Sequence, residues 1–383
     1  MRFLLIYTIL SILLFSCNDK NKKVNIINNE RSDINSSFFI KQDSFRVKIP
    51  NNSYNYYHVV ELYDNRYLFA VNLLAPLQLN IIDLVEKKHI DQISIDPNLF
   101  KTTEITNMHV HNIDSIYFLS SQGPMVYLIN RDGAEIDKWT SPELEIPYNL
   151  DSVLHSKGYG FATSSYLEGP DVDVKNSLLF VKLSPISSMD EIGDVNIKRH
   201  GVYDLKKRKW KFIFGKYKGV LEKKKEGRYY YDMQHPYQLK NNNHVYVTYP
   251  VDHSIYSYDL ETNQYLGKIE NNIPISENFP SPLYGKKALD YSSLIALRKA
   301  TPYYGPLYYH KESKKYSRFF NHIDKKHRSI ILFDENLKFI EIKTFKVSSI
   351  SKIIACDDGF FAIQNDQSKM KDADYIHFIK IKI

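Results

Sequence analysis

Five histidines sit in short apolar segments: His58 in Tyr57-His58-Val59, His109 and His111 in Met108-His109-Val110-His111, His155 in Leu154-His155-Ser156, and His235 in Gln234-His235-Pro236. Imidazole is the side chain whose ordinary pKa lies nearest neutrality, so histidines that converge with tyrosines such as Tyr57 and Tyr304 make a polar pocket, a metal site or an acid/base centre. On a strand only alternate residues face one way, so the plainer outcome is scattered histidines satisfied by backbone or water. Other chemical signatures are missing. There is no His-Glu-x-x-His, no paired-cysteine metal site, no phosphate-cradling glycine loop and no Gly-x-Ser-x-Gly elbow. Asp171-Val172-Asp173 offers two carboxylates where calcium takes six to eight oxygens. No catalytic residue, metal site or cofactor is therefore assigned.

These residues follow an N-terminus with its own chemistry. Arg2 precedes an apolar run from Phe3 to Phe15, broken by Tyr7, Thr8 and Ser11, the pattern of an export signal. Asn18, Asp19 and Lys20 end it short of the about 20 apolar residues that span a bilayer. Leu14-Phe15-Ser16-Cys17 has the form of a lipobox, in which a small residue precedes a cysteine that takes lipid before cleavage. Residues 1–16 are thus expected to be a signal peptide and Cys17 the lipidated N-terminus, several acyl chains on one cysteine making a firm anchor. Residues 17–37, rich in Asn, Lys, Asp and Ser, have the composition of a solvated linker. With Cys17 lipidated, Cys356 is the remaining thiol and no intramolecular disulfide can form.

The rest, residues 38–383, must position any site. The chain holds 30 Tyr and 21 Phe among many Ile and Val, which suit pleated surfaces, and it lacks long stretches of helical period. Its formal charge is +7, or +6 once Arg2 is removed. Basic clusters at Lys206–Lys209, Lys223–Lys225 and Lys325–Arg328 suit solvated turns, nucleic acid or anionic glycan. Export makes nucleic acid the wrong partner.

One phrase recurs: an apolar strand ending in Asp or Asp-Leu, a polar turn, then an alternating strand. It occurs at Asn80–Leu84, Val126–Gly133, Gly201–Leu205, Ile255–Leu260 and Ser329–Asp334, each followed by a second strand. An Asp there hydrogen-bonds its own turn, and Asp132-Gly133 is a tight-turn pair. Partner strands lie upstream at Asn65–Ala70, Asp114–Leu119, Gly158–Thr163 and Asn243–Thr248. The repeated Asp positions 83, 132, 204, 259 and 334 lie 49, 72, 55 and 75 residues apart, which implies long insertions. Two are placed at Glu168–Asn176 and at Asn271 to about Ala300, and loops of that length are functional or disordered.

Gly359–Ile363 and Tyr375–Ile383 leave a sixth unit short of a strand, and Phe38–Ile49 is a strand without a unit. Pairing them closes a ring and removes open edges. The expected fold is all-β, a six-bladed β-propeller closed by an N-terminal strand on the C-terminal blade. The first strand of each blade lines the channel, and the five histidines belong on such strands.

The lipobox at Cys17, the Asn-rich linker, the hairpins, and Tyr303-Tyr304-Gly305-Pro306-Leu307-Tyr308-Tyr309-His310 followed by Tyr316–Phe319 together resemble the six-bladed β-propeller lipoproteins of Bacteroidetes, a family without an assigned activity. The resemblance implies attachment to the outer membrane. In that group an acidic run after the cysteine directs surface display, whereas Asn18–Lys23 is mixed to basic, so the face is left open. Asp114-Ser115-Ile116 and Asp151-Ser152-Val153 have the form of O-glycosylation sites in such organisms, at Ser115 and Ser152.

The sequence thus points to a tethered binding or scaffolding module for a peptide, glycan or protein of the envelope, Tyr being common at recognition surfaces. The alternative is a glycan hydrolase or lyase acting through channel His, Tyr or Asp.

Overall fold

The computed structural model describes residues 42–49, 57–72, 77–96, 98–99, 105–120, 124–140, 142–161, 171–185, 197–223, 227–346, 350–364 and 375–383, and among these described residues there are twenty-five strands and five short helices. The signal, Cys17 and the linker lie outside the described residues. The β-rich unit runs from Lys41 to Ile383.

Strand β1 (Gln42–Lys48) waits for the last blade. Blade one is β2 (Tyr57–Tyr63), β3 (Tyr67–Asn72), β4 (Gln78–Asp83) and β5 (Lys88–Ser94). Blade two is β6 (Ile105–Asn112), β7 (Ser115–Ser120), β8 (Met125–Ile129) and β9 (Glu135–Trp139). Blade three runs β10 (Tyr159–Phe161), β12 (Leu178–Pro185), β13 (His200–Asp204) and β14 (Lys209–Phe214), and β11 (Asp171–Asp173) also pairs with β12. Blade four is β15 (Tyr237–Asn241), β16 (His244–Tyr249), β17 (Asp252–Asp259) and β18 (Tyr265–Ile269). Blade five is β19 (Tyr303–His310), β20 (Lys315–Asn321), β21 (His327–Phe333) and β22 (Phe339–Lys346). Blade six is β23 (Ile350–Cys356), β24 (Gly359–Gln364), β25 (Tyr375–Lys382) and, outermost, β1. All pairings are antiparallel. The chain is an all-β, six-bladed propeller closed by its N-terminal strand.

The recurring hairpin is the turn between the third and fourth strands of blades one to five. Asp83 Oδ1 accepts the backbone N–H groups of Val85 and Glu86, each at 2.9 Å. Asp259 does the same for Glu261 and Thr262, Asp334 for Asn336 and Lys338, and Asp204 for Lys207. In blade two the equivalent residue is Asn130, which accepts from Asp132 and Ala134 at 3.0 Å, so the repeat falls on Asn130 rather than Asp132. Gly133 there has φ +77°, and a Cβ on it would meet the Ser94 carbonyl oxygen at 2.0 Å, so no other residue fits. One residue before each cap the register shifts: at Ile81/Ile82, Leu128/Ile129, Val202/Tyr203, Ser257/Tyr258 and Leu332/Phe333. Such bulges raise local twist, which a blade's outer strand needs.

Apolar residues meet between blades rather than at one centre. Val71, Leu79 and Ile93 of blade one pack with Met108, Ile116 and Phe118 of blade two. Trp139 and Leu119 face Leu179, Tyr203 and Trp210; Phe180, Val202 and Phe214 face Val245, Val247 and Tyr258; Ile255 faces Phe320, Ile331 and Phe333. Tyr308 and Phe319 meet Phe360 at centroid distances of 5.5 and 4.6 Å. The ring closes where Val47 and Ile49 join Leu68 and Ile82 of blade one and Phe361, Ile376 and Phe378 of blade six. Cys356 is buried in that seam, and burial pushes its thiol up to about 12.

Two expectations need correction. Gly158–Thr163 was to be a second strand, but within it Tyr159–Phe161 is the first strand of blade three, and Leu178–Pro185 fills the second position. The segment around His155 is a helix, α1 (Ser152–Lys157), capped by Asp151 accepting the Leu154 N–H.

Connectors leaving the fourth strands are longest around blade four. One carries α2 (Gly219–Lys223) and α3 (Tyr231–Gln234); the other carries α4 (Lys286–Leu289) and α5 (Tyr291–Ala300). Asp290 caps α5 by accepting from Ser292 and Ser293. The two connectors hold each other: Arg228 bridges Leu283, Tyr229 donates to the Pro280 carbonyl at 3.0 Å, and Arg298 Nε reaches both Asp232 oxygens at 3.1 and 2.9 Å. Phe279 anchors the second connector by stacking on Tyr304 at 5.6 Å. The long Asn271–Ala300 segment is thus a built part of the fold.

Candidate functional site

First strands are neighbours around the ring, β2 against β6, β15 against β19, and β23 touching both β19 and β2. Of the histidines predicted for these strands, His109, His111, His155 and His235 go to separate places. Tyr57 and His58 open β2, and their side chains fall outside the described residues. His109, on β6, has Nδ1 3.0 Å from Glu61, whose other oxygen accepts the Val110 N–H. His111, two residues on and exposed, nears the turn at Ile113-Asp114, the opposite end of the ring from where first strands begin. His155 lies on α1, exposed, its Nδ1 donating to the Ile146 carbonyl at 2.8 Å.

His235 follows α3 and is buried. Burial, then the positive charges of Arg199 and Lys182, holds it down at about 3. His200 is equally low for the same reasons, fully buried, with Nδ1 2.8 Å from Gln238 and its ring stacked on Phe214. Both are neutral at physiological pH. Arg199 lies over the Tyr217 ring at 4.5 Å and Lys182 over Tyr237 at 5.8 Å. Among the described residues no three His, Cys, Asp or Glu side chains group to hold a metal ion. Asp173, from the calcium-like pair, is held by Asn176 and Lys240.

Tyr304 is also structural. It is buried between Phe279 and Phe320, with the Arg318 guanidinium 4.6 Å from its ring. Arg318 is fully buried and donates to the carbonyls of Gly305, Asp252 and Tyr249 at 2.7 to 2.9 Å, joining blades four and five. Ser115 is half-buried where β7 starts, and Ser152 is exposed at the start of α1.

The neighbour Tyr303 faces a cavity of about 590 Å³. It lies between blades four, five and six, where the first strands β15, β19 and β23 begin. Blade four contributes Tyr237; blade five Tyr303, Tyr308, Phe319, the turn residues His322 and Lys325, and His327 and Arg328 at the start of β21; blade six Lys352 and Ile353. Helix α5 closes one wall with Ile295, Arg298 and Lys299, and α3 adds Asp232. Five cations thus line the space, and Asp232 is the one carboxylate among the described lining residues, already bound to Arg298. Burial of Asp232 raises its pKa, opposed by Arg298. Lys352 is brought down to about 8 by desolvation. Burial also opposes the Arg298 charge, but Asp232 more than restores it and the guanidinium stays raised, 4.3 Å from the Tyr303 ring.

Two histidines on this wall pair with carboxylates: His327 Nδ1 lies 2.6 Å from Asp324, and His322 carries the longer chain. Its Nδ1 pairs with Glu277 of the second connector, and its Nε2 lies 2.7 Å from Ser329 Oγ, itself 2.7 Å from Thr344. The order Glu-His-Ser has the form of a nucleophilic triad. Ser329, however, is fully buried and does not line the cavity, so the chain acts as a brace fixing the turn to the connector.

Sequence reasoning had parts of this site. The Lys325–Arg328 cluster and the Asn271–Ala300 insertion were both noted, and they meet here. Arg298, Lys299, Tyr303, Tyr308, His322 and Lys352 were missed; the Tyr303–His310 stretch was the available signal.

The protein matches no family profile and no curated protein. Solved structures do match. A member of the DUF4221 family from Bacteroides vulgatus superposes with a TM-score of 0.66 at 13% identity, over 89% of this chain and 96% of that one. A Bacteroides fragilis protein named as an exported protein superposes with a TM-score of 0.52 at 12% identity, over 89% and 96%. The fold is theirs. The likeness to Bacteroidetes propellers read from the sequence therefore holds for the whole ring, and at these identities it concerns architecture.

Proposed function

We propose that this chain is an envelope-tethered binding module that takes its ligand in the cavity between blades four, five and six. The observation that carries the reading is the cavity: about 590 Å³, within the range of roughly 300–1,000 Å³ typical of small-ligand sites, with tyrosines and cations converging from five segments of chain. Tethering is supported by the lipobox ending in Cys17 and by export of a structural relative, as its name has it. Among the described residues no helix is long and apolar enough to cross a membrane. Most glycoside hydrolases use two carboxyl groups flanking the scissile bond, and among the described lining residues there is one, engaged by Arg298.

The test has two arms. Cys17→Ala should abolish incorporation of labelled palmitate and release the chain from membranes. On an array of envelope glycans and peptides, Tyr303→Ala should weaken the bound species about tenfold or more. Unchanged array binding would move the site elsewhere, and palmitate retained in Cys17→Ala would remove the tether.

A further inference from the structure

We propose that the cavity selects an anionic saccharide, one whose carboxylate, sulfate or phosphate groups meet Arg298, Lys299, Lys325, Arg328 and Lys352 while its rings lie on the tyrosine wall; this rests on the binding-module reading above. Charge is the first reason. Five lining cations face one lining carboxylate, which is held by Arg298, while Glu277 and Asp324 pair with His322 and His327 behind the wall, so the described lining carries a net positive charge. A concave, partly dry site with one sign of charge concentrates the opposite sign. Placement is the second. Lys299 and Lys325 are exposed at the rim, Arg328 is half-buried, and Lys352 lies deeper, so charge runs from the mouth inward and suits a ligand with several separated anions.

Lys352 adds a thermodynamic reason. Desolvation disfavours its ammonium form, and an anion placed beside it restores that form, so binding and protonation reinforce each other there. Size and lining favour a sugar over an acidic peptide. The space is of disaccharide scale, and half-buried Tyr303 and Tyr308, backed by the buried rings of Tyr237 and Phe319, give it aromatic surface for the C–H groups of a pyranose. Arg and Tyr, the pair dominant at recognition hot spots, meet directly where Arg298 covers Tyr303.

The experiment is a calorimetric titration of the full chain in detergent with digalacturonate, a sulfated disaccharide, lactose as the neutral sugar, and a tri-aspartate peptide. An anionic disaccharide should bind, weaken with added salt, and lose about tenfold in affinity in Arg328→Gln and in Lys352→Met. Lys299→Gln, an exposed change that leaves folding intact, should lose several-fold. Lactose binding as tightly as the acidic sugars would overturn the charge argument and leave the binding module standing. Tighter binding of tri-aspartate than of either acidic sugar would overturn the saccharide. Failure of all four ligands to bind would remove the inference, and the array result separately decides the broader reading.

Discussion

Burial decides what the histidines of this protein can do. His200 and His235 are held neutral down to about pH 3, whereas in the unfolded chain they titrate near 6.5. Between those values the unfolded state binds more protons, so stability falls as pH drops below about 6.5 and the loss is complete near 3. By pH 4 the cost is on the order of 3 kcal/mol for each. Urea unfolding at pH 7 and pH 5 should show the midpoint falling on acidification, and His200→Gln should flatten that dependence; a parallel slope in the variant would refute the assignment. The sequence displayed these residues but not their surroundings. Tyr303 and Tyr304 make the point most sharply. Adjacent residues on a strand face opposite ways, so one lines the cavity and the other is core, and nothing local distinguishes them.

At the scale of elements, what was legible was local. The Asp turn is a bond between a side chain and the backbone two to four residues on, so its chemistry is written in consecutive letters, and it occurs in the five hairpins with Asn130 substituting once. The bulge before each turn left no such mark, because it depends on twist against a partner strand. The α1 helix was hidden by its short length and ordinary composition. Strand β1 was legible as a strand without a blade, and its role gives a prediction. Val47 is fully buried in the seam between blades one and six, so Val47→Asp should lower stability by about 3 kcal/mol or more, an unpaired carboxylate replacing an apolar contact. The exposed Lys48→Gln should leave it unchanged. Equal urea midpoints for Val47→Asp and the native chain would mean that β1 does not hold the ring.

At the scale of the molecule, the ring could be counted from sequence because each blade repeats the same local grammar. The cavity could not be. It draws on α3, α5, β15, β19, the β20–β21 turn and β23, segments brought together only when blades four, five and six are side by side and their connectors fold across them. The channel histidines were a reasonable place to look, since first strands do neighbour one another; the proposed cavity uses the first strands β15, β19 and β23 and takes another wall from the long connectors. The measurement that tests this most directly is hydrogen exchange of the full chain with and without digalacturonate. Added protection confined to segments around 230–237, 295–308, 319–328 and 350–354 is the expected result. Protection centred on His109 and His111 in blade two, with none at the cavity, would contradict the placement of the site.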